Sequence, residues 1–199
     1  LSFAGVEYDV LRHALTPAQI EIYDTYAKAW SVIHQNMEEA LELTGVVDGF
    51  EKTTLNSGAK ASARSRLEST KQRFFGQVLL SMKLPTVIAA VEQHLKADQS
   101  VVLQLVTTAE AILDRRLAQM SADERADPTI DLSPTEYIAD YLMRAFPTRQ
   151  MQTYTDDTGT ARSAPMSDEF GNPVHNPDAL AARDQMLEHI CALPPIKSA

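Results

Sequence analysis

Residues 71–117 constrain the fold of this chain more than any other segment. Their pattern predicts a helix, a second helix, a short strand, a threonine-containing turn and a third helix, in that order. Residues 101–106 read VVLQLV, in which five of the six side chains are apolar. Such a run is typical of a strand that is covered on both faces, as in a parallel sheet. Because a parallel strand needs neighbours and the chain offers few, we expect a fragment of a larger protein.

Periodic apolar residues predict a long helix in the first quarter of the chain. The helix is expected to begin after Thr16, with Pro17 at its first position, and to end at Gly45. Its apolar stripe contains Trp30 and two tyrosines, and aromatic residues at helical spacing favour a core role over a platform that stacks bases. A short strand is predicted over residues 6–11, where it could pair with the strand described above.

The middle of the chain predicts two further helices separated by a proline. The first covers residues 57–83, Pro85 breaks it, and a new helix follows over residues 87–95. We expect the chain to divide into an N-terminal strand and long helix, a basic helix with the strand-turn-helix unit, and a helical region with a loop excursion. These three parts correspond to residues 1–56, 57–120 and 121–199.

The last third predicts a helix, a hairpin and another helix. Ser133 and Pro134 precede an amphipathic stretch that ends at Pro147. The turn signals DDTG and EFGNP lie between short β-prone pieces of residues 148–176, so a β-hairpin is predicted there. Asn176-Pro177 then opens a final helix. The fold class is therefore mainly α, with long helices, one short strand-turn-helix unit and a hairpin.

Composition predicts a cytoplasmic protein that does not enter a membrane. The 199-residue chain has a formal net charge of −9 and 44% hydrophobic residues. No apolar run approaches the roughly 18 residues that a membrane span needs. Cys191 is the single cysteine, which excludes an internal disulfide, and its apolar neighbours predict a buried thiol. The five histidines form no i, i+4 pair, so no metal site is predicted.

Basic residues are concentrated in one predicted helix of this acidic chain. Residues 57–84 hold six basic side chains and one acid. The basic residues are Lys60, Arg64, Arg66, Lys71, Arg73 and Lys83. Such a helix is either a solvated face or a contact surface for nucleic acid, and the sequence leaves both readings open. Acidic residues gather after the predicted strand, between Asp123 and Asp140, and indicate a solvated surface or a protein-binding one.

A threonine turn follows the predicted strand. Thr107-Thr108-Ala109-Glu110 fits a capping box, in which threonine caps the helix and glutamate follows three residues later. The free N–H groups of such a turn can also hold a phosphate of a nucleic-acid backbone, which makes Thr107 and Thr108 candidate contacts. The chain contains no GxxxxGK[ST] phosphate loop, so it is not expected to bind or hydrolyse ATP unaided.

Several segments resemble helicase-like proteins. VEYDVLRHALTPAQIEIYDTYAKAW is similar to the segment that leaves the first lobe of double-strand DNA translocases in helicase superfamily two. TKQRFFGQVLL and SVVLQLVTTAEA together resemble the strawberry notch family, in which a QRFF helix precedes a strand that ends in a Ser-Thr-Gly-Glu turn. DLSPTEYIADYLMRAFPT and DEFGNPV resemble its bacterial and phage members. Thr107 and Ala109 stand where that pattern has Ser and Gly, and the Cβ of Ala109 limits close approach of a phosphate.

The resemblance implies an internal fragment of an ATP-dependent motor that acts on nucleic acid, with duplex DNA as the expected partner. The fragment would supply inter-lobe helices and a partial second RecA-like lobe, while ATP and magnesium would bind elsewhere in the parent protein. The alternative is a helical module that docks protein partners and has no nucleic-acid role. A self-contained enzyme is disfavoured, because the sequence shows no set of nucleophile, base and orienting group.

Overall fold

The computed structural model describes residues 10–104, 118, 133–194 and 196. Helix α1 spans Pro17–Leu43. At its start, the Thr16 hydroxyl accepts from the Gln19 amide at 3.2 Å, and the Gln19 side chain accepts from the Thr16 amide at 2.9 Å. This reciprocal pair satisfies two N–H groups that a helix start leaves open. Gly45 follows the helix with a φ of 77°, so both predicted ends of α1 are confirmed.

Helix α2 spans Ser57–Lys96 and contains 40 residues without interruption. The predicted break at Pro85 is therefore wrong, because Pro85 lies inside the helix. Proline removes one backbone hydrogen bond, but its fixed φ of about −65° is compatible with helical geometry. Asn56 caps the start, where its side chain accepts from the Ala59 amide at 2.9 Å.

The second half of α2 is apolar over a longer stretch than the sequence predicted. An 18-residue window of this helix reaches a mean hydropathy of 1.6, which would suffice for a membrane span by length and composition alone. The structure buries 17% of that window. Ile88 and Leu95 are about half exposed. The expectation that no apolar run approaches this length is thus wrong, and the second half of α2 presents an apolar surface.

The strand predicted over residues 101–106 does not form in residues 101–104, the part that the structure describes. Residues 101–104 adopt no regular secondary structure, and 92% of Val102 is exposed. Apolar composition alone cannot form a strand, because each strand needs a hydrogen-bonded neighbour, and no described strand pairs with these residues. Val10 and Leu11 are likewise exposed and outside any strand. Thr107, Thr108 and the acidic residues from Asp123 to Asp131 lie outside the described residues.

Two helices and a hairpin complete the described fold. Helix α3 spans Thr135–Arg144, strands β1 and β2 span Met151–Thr155 and Ala161–Pro165, and helix α4 spans Pro177–Cys191. The strands pair antiparallel in a two-stranded sheet, which confirms the predicted hairpin. With these four helices, the described part of the chain is mainly helical, as the sequence predicted.

The turn of the hairpin is organised by one carboxylate. Asp156 accepts from the Thr158 hydroxyl at 2.6 Å and from the Thr160 amide at 2.9 Å. These bonds, together with one from Arg162, hold the pKa of Asp156 well below its usual value. Gly159 supplies the positive φ of 80° that the turn requires.

An aromatic cluster joins three of the helices. Phe74 of α2 lies between Tyr26 and Trp30 of α1, with ring centroids 5.2 and 5.7 Å apart, and Trp30 lies 6.2 Å from Tyr141 of α3. All four rings are buried. The Tyr26 hydroxyl donates to the Pro194 carbonyl at 2.7 Å, which ties the C-terminal segment to α1. The prediction that the aromatic stripe of α1 belongs to the core is confirmed.

The prediction that the Cys191 thiol, at the end of α4, is buried is wrong. Cys191 is exposed, because the buried face of this helix is formed by Ala179, Met186 and Ile190. Residues 186 and 190 are four apart and share that face, whereas residue 191 follows Ile190 by about 100° of helical rotation. Apolar neighbours in the sequence therefore did not mean apolar neighbours in space.

Candidate nucleic-acid interface

The basic residues of α2 fall on two sides of the helix. Residues two apart in an α-helix point about 200° apart, so Arg64 and Arg66 face nearly opposite directions. Arg64 reaches Glu38 on α1. Arg66 instead lines a cleft formed with α3 and α4. The predicted basic residues thus do not form one continuous surface.

The α1 side of this helix is already partly neutralised. The Arg64 guanidinium donates to both carboxylate oxygens of Glu38, at 2.7 and 2.9 Å. That hydrogen-bonded pairing lowers the pKa of Glu38. Lys71 pairs with Glu68 at 2.6 Å, and Lys60 donates to the Thr54 hydroxyl at 3.1 Å. A phosphate that approached Arg64 or Lys71 would have to compete with a carboxylate already bound there.

The other side of α2 offers unpaired cations. Arg66 and Arg73 are exposed, and no described residue forms an ion pair with either of them. The Arg73 Nε donates to the Ser69 carbonyl at 3.2 Å, which leaves its terminal nitrogens without a charged partner in the described chain. These two arginines are seven residues apart, or nearly two helical turns, so they share one stripe. They are the predicted contacts that the geometry best equips to meet a phosphate backbone.

Sequence reasoning missed the basic residues that surround Arg66. Arg144 at the end of α3, Arg149 and His175 next to the hairpin, and Arg183 of α4 line the same cleft as Arg66. These residues come from separate elements, so no local spacing in the sequence indicates that they meet. Among the described residues, no group of three or more His, Cys, Asp or Glu side chains could hold a metal ion.

Weak homology links part of the chain to strawberry notch proteins. Strawberry notch homolog 1 of Homo sapiens is 25% identical over 111 residues, which cover 56% of this chain and 7% of that protein. Strawberry notch of Drosophila melanogaster is 27% identical over 124 residues, which cover 62% of this chain and 7% of that protein. The chain therefore spans less than a tenth of the length of these curated relatives. No protein-family model and no solved structure matches it.

Proposed function

We propose that this chain is a non-catalytic part of a helicase-like nucleic-acid motor. It would supply helices between the two motor lobes and contacts to the nucleic-acid backbone, with duplex DNA as the expected partner. The homology to strawberry notch proteins supports this assignment. In this proposal, ATP and magnesium act in the rest of the protein, the setting is cytoplasmic, and the parent is a bacterial or phage protein of superfamily two.

The exposed and unpaired state of Arg66 and Arg73 carries the nucleic-acid part of the proposal. An arginine that approaches duplex DNA releases condensed counterions, and this release favours binding. A side chain that first has to leave a carboxylate gains less from the same contact. Arg66 and Arg73 have no such partner among the described residues, whereas Arg64 is bound to Glu38. We therefore expect backbone contacts on the side of α2 that carries Arg66 and Arg73.

The salt dependence of DNA binding tests this proposal. In the full-length protein, the double variant Arg66→Gln, Arg73→Gln should reduce the slope of log K against log salt by about two, because each lost phosphate contact removes about 0.9 from the slope. The matched control is Arg64→Gln, Lys71→Gln, which also removes two cations from α2. Because both are already paired with acids, the control should reduce the slope by less than about one.

Fluorescence anisotropy with a labelled duplex, repeated over a series of salt concentrations, gives both slopes. Binding should also be independent of sequence, because backbone contacts do not read bases. An unchanged slope in the Arg66, Arg73 variant would show that this side of α2 is only a solvated surface.

Two exposed apolar residues of α2, Ile88 and Leu95, favour a second candidate, a helical module that docks protein partners. They are seven residues apart and share one stripe of the helix, and exposed apolar patches can mark interaction sites. The acidic region that includes Glu136 and Asp140 would offer a second protein-binding surface. The two candidates differ in the salt experiment, since a docking module has no DNA affinity for the arginine variants to weaken. Replacing Ile88 and Leu95 by serine should leave the salt slope of a motor fragment unchanged.

A further inference from the structure

An arginine-lined cleft lies where α2, α3, α4 and the base of the hairpin meet. Its volume is about 440 Å³. Five of its described lining residues have basic side chains, and the described lining contains no aspartate or glutamate. The basic residues are Arg66, Arg144, Arg149, His175 and Arg183. The net charge of the whole chain is −9, so the excess of basic side chains in this lining is opposite in sign to the charge of the chain.

A short antiparallel contact sets two of these side chains opposite each other. Arg149 and His175 form an isolated bridge, flanked by the hydrogen bonds from the Gln150 amide to the Val174 carbonyl and from the Asn176 amide to the Thr148 carbonyl, both 2.8 Å long. The buried Thr148 hydroxyl bonds to the His175 Nδ1 at 2.8 Å, which fixes the ring. The basic groups at the base of the hairpin are therefore positioned by backbone pairing.

The acids that neutralise part of this lining lie outside it. Arg144 pairs with Asp140 at 2.8 Å, and Arg183 pairs with Asp184 at 2.7 Å. Neither aspartate lines the cleft. Arg149, like Arg66, forms no ion pair with any described residue. The unpaired guanidinium groups of Arg66 and Arg149 both line the cleft, and a bound anion would offset their like charges.

We propose that this cleft binds a phosphate group. The planar fork of arginine matches phosphate oxygens with two parallel hydrogen bonds, which makes arginine the preferred residue for such sites. The volume falls within the range of about 300–1,000 Å³ that is typical of ligand sites. Leu41, Val46 and Phe146 supply an apolar part of the wall.

The phosphate could belong to a nucleic-acid strand or to a small phosphate compound. The proposal rests on the lining of the cleft and not on the proposed motor function, although Arg66 takes part in both. The chain contains no phosphate loop, and for that reason we expect no ATP affinity from such a loop. The arginine side chains of the cleft would bind phosphate in a different way. The site has no ligand set for magnesium among its described lining residues, so binding should not require that ion.

Calorimetric titration of the 199-residue chain with sodium pyrophosphate tests the site directly. The wild type should bind with a dissociation constant below about 1 mM at low salt. Arg149→Gln and Arg66→Gln should each weaken binding about tenfold, since each removes charge-assisted hydrogen bonds. Lys83→Gln is the control, because it removes one exposed cation of α2 that does not line the cleft and is not a proposed DNA contact. It should change the affinity by less than about twofold. Thermal unfolding would verify that the variants remain folded.

Competition then separates the two sources of phosphate. A short oligonucleotide without terminal phosphates that displaces pyrophosphate would identify internal backbone phosphates as the ligand. Displacement only by a 5′-phosphorylated oligonucleotide would identify a terminal or free phosphate. The cleft proposal fails if the wild type gives no pyrophosphate binding at millimolar concentration, or if Lys83→Gln weakens it as much as Arg149→Gln. Neither result would test the motor proposal, which depends on the salt dependence of DNA binding.

Discussion

Replacing Phe74 by alanine is expected to lower the free energy of unfolding by about 4 kcal/mol. The Phe74 side chain is fully buried and contacts the rings of Tyr26 and Trp30 on α1 and of Phe75 on its own helix. Its removal would take away buried apolar area and leave a cavity between α1 and α2. The neighbouring rings are held by two different helices, so they cannot collapse fully into that space.

Urea denaturation followed by circular dichroism at the helix signal measures this loss. Phe170→Ala is the matched control, because it makes the same chemical change at a position that is 81% exposed. The control should change the free energy of unfolding by less than about 0.5 kcal/mol. Equal losses in the two variants, or a loss below about 1 kcal/mol for Phe74→Ala, would contradict the packing described here.

Local signals in the sequence correctly predicted both ends of α1 and the turn of the hairpin. The start of α1 depends on Thr16 and Gln19, three residues apart, and its end depends on the positive φ of Gly45. The hairpin turn depends in the same way on Asp156 and Gly159. Each of these features is stabilised by bonds within a few residues, so the residues that specify it stand side by side in the sequence.

Features that depend on distant neighbours were predicted poorly. Residues 101–104 have the composition of a buried strand but no strand to pair with among the described residues. Pro85 has the chemistry of a helix breaker, yet the surrounding helical residues carry α2 through it. Cys191 has apolar sequence neighbours but lies off the buried stripe of α4. In each case the outcome depends on what surrounds the residue in space.

The candidate site shows the same division. The sequence identified the basic residues of α2, including Arg64 and Arg66, because they are concentrated in one segment. It could not show that Arg64 is bound to Glu38, 26 residues away, because that contact requires α1 and α2 to pack together. It also could not show that Arg149 and Arg183 join Arg66 around one cleft. Thr107 and Thr108 remain predicted contacts.

Replacing Asn176 by alanine is expected to lower the free energy of unfolding by about 2–3 kcal/mol. The Asn176 Oδ1 accepts from the amides of Asp178 and Ala179, both at 3.0 Å, and so caps the start of α4. Its Nδ2 donates to the Leu43 carbonyl at 3.0 Å and to the Gln150 side chain at 2.9 Å. One side chain therefore joins α4 to the end of α1 and to the base of the hairpin.

Asn176→Ser separates these two contributions, because a serine hydroxyl can still cap α4 but cannot reach Leu43 or Gln150. It should therefore lose only the contribution of the two donated bonds, about half of the alanine effect. Asn36→Ala is the matched control, since Asn36 lies within α1 and, among the described residues, donates only to the Val32 carbonyl of the same helix. The control should stay within about 0.5 kcal/mol of the wild type in urea denaturation, because alanine favours the helix. If Asn176→Ala is no more destabilising than Asn36→Ala, Asn176 does not hold the three elements together.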